Sequence, residues 1–427
     1  MQPTQPDQGY WAIVRRQFRK NRPAVWSLRL VYVIIVIGLL ADFLANEKPL
    51  YCKIDGKTFF PVLKDYAVGM GLSRWSAEFA FADWKTLQYD AVIWPPVPYS
   101  PTEMDIYNVQ YVGPFEEQEV KSWRWKHLMG TDEIGRDVLA GMIHGTRVAM
   151  LVGIVSMSIA AVIGIVLGSL AGYFGDQRLK ISRGRLYANM AFLFIAFFYA
   201  FSVRGYALSN AFEEGMFPFM VQFLISMFYF LLIMAVPNVL AVFLKKIPFS
   251  GTRVSVPLDI IISRLIEIFI SIPRLLLILS VVAIAKPSIM LVMVIIGATS
   301  WTGIARFIRG ELLRVRSLEY IEAAQALGYS EARIIFRHAI PNSLTPVLID
   351  IAFGVAGAIL VESALSFLGI GVQAEVVTWG KLLSLARQAP EAWWLAIFPG
   401  FAIFITVTVF NLLGEGLTDA LDPRLKS

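Results

Sequence analysis

The chain alternates between long apolar runs and shorter polar segments. Several apolar runs reach the roughly 20 residues that an α-helix needs to cross about 30 Å of hydrocarbon. The pattern predicts eight membrane-spanning helices, at about residues 30–44, 148–174, 186–203, 217–244, 260–285, 289–305, 343–365 and 393–413. We therefore expect an all-α polytopic membrane protein.

Composition and charge agree with this fold class. Hydrophobic residues make up 57% of the chain, charged residues make up 16%, and the mean hydropathy is +0.62. The net charge of +6 comes from Lys and Arg between the apolar runs, where such residues set the orientation of the spans. Arg15, Arg16 and Arg19 therefore place the N-terminus in the cytoplasm, and an even number of spans returns the C-terminus there. The charge indicates no nucleic-acid partner.

The polar segments divide the chain into regions. We expect a basic cytoplasmic N-terminus, a first transmembrane helix, an extracytoplasmic insert that ends in an interfacial helix, a second core helix, an added transmembrane hairpin and a remaining core. Their predicted bounds are 1–29, 30–45, 46–147, 148–175, 176–258 and 259–427, with a cytoplasmic loop at 306–342 in the last region. Lys and Arg at both ends of the hairpin keep those ends in the cytoplasm. Its apolar runs predict a peripheral position against lipid.

The insert shows no catalytic or nucleotide-binding pattern. Gly56, Lys57 and Thr58 match the end of a phosphate-binding loop, but Tyr51 stands where that loop needs a glycine. The chain therefore has no nucleotide site of its own. Cys52 is the only cysteine, which excludes an internal disulfide, and the three histidines form no dense ligand cluster. We expect no metal site.

Three glycines recur every four residues in the second core helix: Gly164, Gly168 and Gly172. Small residues on one helix face let a neighbouring backbone approach closely. They predict a packing seam against either another helix of this chain or a second subunit.

The segment from Glu322 to Pro341 reads as a polar helix-turn-helix between two late spans. Ala323 and Ala324 allow another protein's surface to approach closely, and Gly328 permits a left-handed turn. Pro341 is suited to the start of the following segment. Glu and Ala are also strong helix formers, so the Glu-Ala-Ala triplet alone indicates only a helix.

In its full order this segment resembles the EAA loop of permease subunits of binding-protein-dependent ABC importers. The resemblance implies that the loop couples the permease to an ATPase subunit, through Glu322, Ala323, Ala324, Leu327, Gly328, Arg337, His338 and Pro341. The Arg-His pair is typical of the oligopeptide, dipeptide and nickel branch. The N-terminal FRKNRPAVWSL also resembles the peptide and microcin type, which favours a peptide substrate.

Two further segments resemble motifs of the same family. One lies before the second core helix and carries Gly130, Thr131, Asp132, Gly135, Arg136 and Asp137. The other resembles the outer gate loop and carries Glu362, Ser366, Phe367 and Gly369. An alternative for the first is an exposed turn whose charges simply pair with each other.

The resemblance implies a type I importer core of six transmembrane helices plus the added hairpin, with the chain forming half of a path for peptides. It implies as partners a second, different permease subunit, two ATPase subunits that hold ATP and Mg, and an extracytoplasmic substrate-binding protein. The chain would lie in the bacterial cytoplasmic (inner) membrane and bind no cofactor itself. No catalytic residue is expected.

A different class of protein, a secondary active transporter, remains an alternative. It would use intramembrane carboxylates, for which Asp350 and Glu362 are candidates, because a charge at mid-membrane usually faces a cavity or partner. They lie towards opposite ends of one predicted span, and the chain shows no duplicated halves with broken helices. An intramembrane enzyme is disfavoured, since neither HExxH nor GxSxG occurs.

Overall fold

Long apolar helices form most of the structure, a computed structural model that describes residues 10–80, 82–243, 253–284, 286–373 and 375–421. The helices are α1 (Tyr10–Lys20), α2 (Arg22–Leu39), α3 (Ala41–Leu44), α4 (Pro61–Gly69), α5 (Ala77–Ala80), α6 (Val138–Ser169), α7 (Arg183–Phe197), α8 (Gly205–Glu214), α9 (Met216–Phe243), α10 (Leu258–Ser271), α11 (Arg274–Ile284), α12 (Ile289–Val315), α13 (Glu319–Ala326), α14 (Glu331–Ile334), α15 (Ile340–Ser343), α16 (Thr345–Phe367), α17 (Trp379–Leu385) and α18 (Trp394–Leu421). The strands are β1 (Tyr51–Ile54), β2 (Lys57–Phe59), β3 (Ala91–Ile93), β4 (Lys180–Ser182) and β5 (Arg253–Ser255).

The prediction of an all-α polytopic membrane protein is confirmed. Within the described ranges, seven helices are long and apolar enough to cross a membrane, or eight if the bent pair α10–α11 counts as one span. That pair is interrupted at Pro273, which has no N–H to donate and disfavours a continuous helix. The span predicted at about 260–285 is therefore broken into two helices.

Helix bounds differ from the predicted ones, as three examples show. α2 begins at Arg22, where the Asn21 side chain caps it by accepting from the Ala24 N–H. α6 begins at Val138 and continues through residue 148, so the predicted separate interfacial helix is wrong. α12 runs on to Val315, well into the predicted loop 306–342. Hydropathy detects only the apolar part of a helix, and each of these helices continues into polar sequence.

The chain divides into two compact units. One contains Met1–Ile165, Phe269–Ile308 and Arg337–Ser427, and the other contains Val166–Ile268 and Arg309–Phe336. In the first unit α18 packs against α2 and α16.

The glycine seam of α6 packs against another helix of this chain. In the first unit, a Cβ added at Gly164 would lie 2.7 Å from the Cβ of Ile304. In the second unit, a Cβ added at Gly172, just past the end of α6, would lie 2.7 Å from the Arg309 carbonyl oxygen. Both neighbours belong to α12. The open choice between a helix of this chain and a second subunit is settled for these two positions.

The insert is a folded domain with its own core. Its strands form an antiparallel sheet in the order β2-β1-β3. Cys52, Trp84 and Trp94 are buried together behind the sheet. Further rings from Phe59, Trp75, Phe79, Tyr89 and Trp125 pack against this cluster.

The added hairpin consists of α7, α8 and α9. β4 and β5 pair antiparallel at its base, with Ser182 opposite Arg253. Polar contacts join its helices: Arg185 donates to Asn238 at 2.6 Å, and Arg204 donates to Gln222 at 2.6 Å. The remaining faces of α7 and α9 expose large apolar side chains, as a lipid-facing position requires.

Candidate functional site

The predicted coupling segment forms a helix, a tight turn and a short second helix. α13 ends with the Leu327 N–H donating to the Ala323 carbonyl at 3.0 Å. Gly328 follows with φ +76°, a conformation that glycine adopts without strain. The Ser330 hydroxyl then caps α14 by accepting from the Arg333 N–H at 3.4 Å. The left-handed turn predicted at Gly328 is confirmed.

The two faces of α13 differ. Glu322 and Ala323 are exposed, and Leu327 is 72% exposed. Ile321 and Ala324 are buried in the same unit. The exposed face of this segment therefore includes Glu322, Ala323, Leu327 and the Gly328 turn, whereas Ala324 packs inside the unit.

The other three predicted coupling residues follow α14 and belong to the first compact unit. Arg337 and His338 lie in a π-helical turn, and Pro341 is in the first turn of α15. Asn342 donates from its side chain to the His338 carbonyl at 2.7 Å. Arg337 and Pro341 are exposed, and His338 is half-buried.

Tyr173 attaches both short helices of the coupling segment to the end of the second core helix. This residue is fully buried in a π-helical turn, Leu170–Phe174, that directly follows α6. Its hydroxyl donates to the Glu331 carboxylate of α14 and is also hydrogen-bonded by the Gln325 side chain of α13. The Arg178 guanidinium lies 5.2 Å from the centre of its ring. Sequence reasoning missed Tyr173, because a tyrosine near the end of a span usually indicates only an interface anchor.

An ion pair lies in the same unit. Arg309 of α12 forms a two-point contact with the Asp259 carboxylate, with Nη2 and Oδ2 2.9 Å apart. Arg316 reaches the Gly172 carbonyl at 3.4 Å. These contacts hold α12 against α10 and against the turn that carries Tyr173.

The predicted outer motif at residues 130–137 forms a tight turn before α6. The Asp132 carboxylate accepts from two backbone N–H groups, at 3.1 and 2.9 Å, and from the Arg136 guanidinium at 2.7 Å. Gly135 has φ +80°, and a Cβ there would collide with the Asp105 carbonyl oxygen. The charges of the turn pair with each other, as the alternative interpretation held. Asp132 is nevertheless buried rather than exposed.

Thr131 and Asp137 tie this turn to the bundle. The Trp394 indole donates to the Thr131 carbonyl at 3.1 Å, and Gly130 leaves no room for a side chain beside that indole. Asp137 Oδ1 accepts from the Ala140 N–H at 2.6 Å and so caps α6. The turn therefore determines where α6 begins.

His127 connects this cap to the insert. Its Nδ1 lies 2.8 Å from Asp137 Oδ2 and its Nε2 lies 3.1 Å from Asp105 Oδ2, while its ring stacks on Tyr99. Burial alone would lower the pKa of His127, but the hydrogen bonds and charges of Asp137 and Asp105 outweigh it and raise this pKa. When the ring is doubly protonated, it donates to both carboxylates. Sequence reasoning had treated His127 only as a poor metal ligand.

Glu362, in the predicted outer gate loop, is buried in α16. Its carboxylate accepts from the Ser366 hydroxyl at 2.6 Å and from the Ser363 hydroxyl at 3.4 Å. The Arg387 guanidinium lies 5.3 Å from the centre of the Phe367 ring. Gly369 is exposed just beyond the end of α16. Glu362 is therefore enclosed by hydroxyl groups and does not face open solvent in this structure.

The structure brings the two predicted outer segments together at the beginning of α6. The Trp379 indole donates to the Met142 carbonyl at 3.0 Å. Side chains from both segments, Arg136, Asp137 and Lys381 among them, line one small enclosed cavity. The turn before α6 and the loop after α16 thus share one anchoring point within the first compact unit.

Two family profiles match this chain. One describes a binding-protein-dependent transport system inner membrane component and matches residues 248–427. The other describes the N-terminal transmembrane domain of oligopeptide transport permease C and matches residues 9–57. The first match includes the coupling segment and the outer gate loop.

Curated relatives agree with the profiles. The dipeptide transport system permease protein DppC of Alkalihalophilus pseudofirmus is 30% identical over 303 residues, which cover 71% of this chain and 73% of the relative. The oligopeptide transport system permease protein OppC of Haemophilus influenzae is 30% identical, with 70% of each chain covered. The inner membrane ABC transporter permease protein YejE of Escherichia coli is 25% identical, and the alignment covers 98% of this chain and 97% of the relative. That last alignment is long enough to include the added hairpin.

Proposed function

Because this chain belongs to the family of binding-protein-dependent transport system inner membrane components, we propose that it forms half of the translocation path of an ATP-driven peptide importer. The dipeptide and oligopeptide systems of its relatives support the peptide substrate. The exposed face of α13 carries the proposal. A helix with Leu327 in solvent and Ile321 buried beneath it has the form of a docking element for another protein.

The partners follow from this role. The complex contains two ATPase subunits that hold ATP and Mg, one of which docks on α13; a second permease subunit completes the path, and an extracytoplasmic binding protein delivers the peptide. The family is a membrane component and is not itself catalytic, so hydrolysis takes place on the ATPase subunits. The chain lies in the bacterial inner membrane with both termini in the cytoplasm.

The insert supplies the surface for the binding protein. Three large side chains of the insert are largely in solvent, with exposures of 70% for Tyr107, 87% for Phe115 and 79% for Trp123. Aromatic side chains are enriched in protein interfaces, because they bury much area with little loss of conformational entropy. The binding protein approaches this side of the chain.

The motion starts at α13. Closure of the ATPase pair on ATP displaces α13 and α14, and Tyr173 passes that displacement to the turn after Ser169. Since α6 is one continuous helix from Val138 to Ser169, the displacement reaches its other end, which Asp137 caps. The outer gate loop is anchored at that same end. Transport then proceeds by alternating access, with this chain as a mechanical part.

A secondary transporter is not supported by the comparisons. Glu362, one of its two candidate carboxylates, is enclosed by Ser363 and Ser366, which suits a structural role.

Docking on α13 is tested with Leu327→Asp, which places a charge on the proposed contact. The complex of both permeases and both ATPases is purified in lipid nanodiscs, and retained ATPase and substrate-stimulated ATP hydrolysis are measured. We expect Leu327→Asp to lose both. Leu72→Asp is the matched control, since Leu72 is 77% exposed on the insert, and we expect it to keep its ATPase subunits. Full ATPase retention and stimulation in Leu327→Asp would contradict the docking role.

A further inference from the structure

Arg274 is a cation inside a predicted span. It is the first residue of α11, directly after the break at Pro273, and its Nη2 donates to the Ser300 hydroxyl of α12 at 2.6 Å. Among the described residues, no carboxylate lies within ion-pair distance of it. A charge at mid-membrane costs about 2.5–3.5 kcal/mol on insertion scales and normally faces a cavity or a partner.

Asp350 belongs to α16 and lies beside α12, about one helical turn beyond Ser300. It approaches Gly303, where an added Cβ would lie 3.1 Å from Asp350 Oδ2. The described residues offer this carboxylate no hydrogen bond, and the charge that acts on it is that of Arg306. Gly303 leaves room for the carboxylate against α12 and gives it no donor.

The three charges therefore alternate along one stretch of α12. Ser300, Gly303 and Arg306 are spaced at i, i+3 and i+6, and each step rises about 4.5 Å along the helix. Arg274 at Ser300 is positive, Asp350 at Gly303 is negative, and Arg306 is positive. All of these residues lie within the first compact unit.

This stretch does not have the character of a lipid-facing surface. Thr299 and Thr302 add further hydroxyl groups to it, and both Arg274 and Arg306 are exposed in the single chain. Lipid-facing helices instead expose apolar side chains, as α9 does with Leu224. The polar stretch of α12 therefore faces water or a polar partner.

A peptide carries the complementary charges. Its terminal carboxylate matches the guanidinium fork of Arg274, because Arg binds carboxylates through two parallel hydrogen bonds. The Ser300 hydroxyl donates to the Ile296 carbonyl and accepts from Arg274, so its role is to position that guanidinium. The terminal ammonium of the peptide matches Asp350, to which no donor in the described part of the chain is bonded. The two positions are about 5 Å apart along α12. The ends of an extended tripeptide are about 10 Å apart, which is more than this spacing. The carboxylate and the ammonium therefore occupy their positions one after the other and not at the same time.

We infer that Arg274 and Asp350 form a site in the translocation path for the charged ends of the peptide, with the carboxylate on Arg274, which Ser300 positions, and the ammonium on Asp350. This inference rests on the proposed function and adds residues that contact the substrate. Weak contacts at successive positions suit a path that must both accept and release its cargo.

The test uses the full complex with its binding protein in proteoliposomes, and three probes: trialanine, its C-terminal amide and its N-acetyl derivative. ATP-driven uptake at limiting concentration is measured for wild type, Arg274→Gln and Asp350→Asn. For each peptide, the uptake by the variant is divided by the uptake by the wild type. This ratio cancels any difference in how well the binding protein binds the three peptides. Arg274→Lys keeps the charge, and Arg29→Gln replaces an exposed arginine of α2 as the matched control.

We expect Arg274→Gln to reduce trialanine uptake about tenfold, as loss of a charge-assisted contact does, and to leave uptake of the amide nearly unchanged. Asp350→Asn reduces uptake of trialanine and of the amide, and leaves the N-acetyl derivative nearly unchanged. Arg274→Lys retains most of the discrimination. These results together support the site.

Three results would overturn it. Equal losses for all three probes show that the residues serve structure, and unchanged uptake shows that they do not touch the peptide. Loss of the second permease from Arg274→Gln on size-exclusion chromatography shows that Arg274 belongs to the subunit interface. A wild-type complex that moves none of the probes with ATP contradicts the proposed function itself, which is a separate result.

Discussion

The hydroxyl of Tyr173 donates a hydrogen bond to the Glu331 carboxylate across 158 positions of sequence. Tyr173 directly follows the second core helix, and Glu331 begins α14, just past the Gly328 turn. Buried Tyr173 thus fixes the coupling segment to a long core helix through one side chain. In the proposed function, displacement of the segment by an ATPase would act on that helix through this contact.

Tyr173→Phe removes the hydroxyl and keeps the ring. Unfolding free energy falls by about 0.5–1.5 kcal/mol, the usual worth of one hydrogen bond. Peptide uptake per ATP hydrolysed falls by about fivefold, which corresponds to about 1 kcal/mol of lost coupling. The rates of peptide uptake and of ATP hydrolysis are both measured in proteoliposomes. Tyr187→Phe, on the exposed face of α7, is the control. An unchanged uptake-to-hydrolysis ratio would remove Tyr173 from the coupling route.

Gly328 allows backbone conformation to be separated from steric contact. It has φ +76°, and no heavy atom lies within 4 Å of an added Cβ. Within this chain, substitutions therefore act through the backbone alone, at about 1–2 kcal/mol for a residue that avoids this region. Substrate-stimulated ATPase activity should fall in the order Gly328→Asn, Gly328→Ala and Gly328→Val. Gly184→Val, in equally open space without a positive φ, should have no effect, and equal activity across the series would contradict the turn's role.

The His127 pair makes the stability of the outer turn depend on pH. Its pKa is raised by Asp137 and Asp105 against the effect of burial, so folding favours the imidazolium. The stabilisation is complete below the unfolded pKa of about 6.5 and is lost as pH rises through the raised pKa. The melting temperature should therefore be lower at about pH 9 than at about pH 6.

His127→Gln should lose that pH dependence and about 3 kcal/mol at the lower pH, because it leaves buried carboxylates without their cation. Asp105→Asn should retain part of the dependence, since Asp137 remains. A His127→Gln protein with the wild-type pH profile would show that another group is responsible.

The added hairpin should be dispensable for transport. Ser182 and Arg253 are paired at its base, so residues 183–252 are replaced by Asn-Gly, which favours the tight turn between two antiparallel strands. We expect assembly with both ATPases and uptake within about twofold of the wild type, as for changes away from a functional site. Complete loss of uptake with normal assembly would place the hairpin in the path or its gate.

Periodicity and turn chemistry determine how much of this structure is visible in the sequence. The spans are visible because about 20 apolar residues have one common explanation in a membrane protein. The Gly328 turn is visible because few residues adopt positive φ. The break at Pro273 is not visible in the predicted span, since a proline alone does not determine how far the helix is interrupted.

The insert and the coupling contact are not visible in this way. Cys52, Trp84 and Trp94 pack together from distant positions in an irregular segment. No short-range periodicity in the sequence predicts that they are in contact. Tyr173 and Glu331 likewise depend on how distant segments pack. The start of α6 at Val138 was missed because its first turns are mixed in polarity, although the cap by Asp137 is a local signal.

Uptake of a labelled peptide driven by ATP tests the central claim most directly. Proteoliposomes hold this chain with its second permease, its binding protein and both ATPases, and parallel liposomes hold the chain alone under a pH gradient. The account predicts uptake only in the complete complex with ATP and Mg, and loss of that uptake in Leu327→Asp. Uptake by the chain alone, driven by the gradient without ATPases, would contradict it.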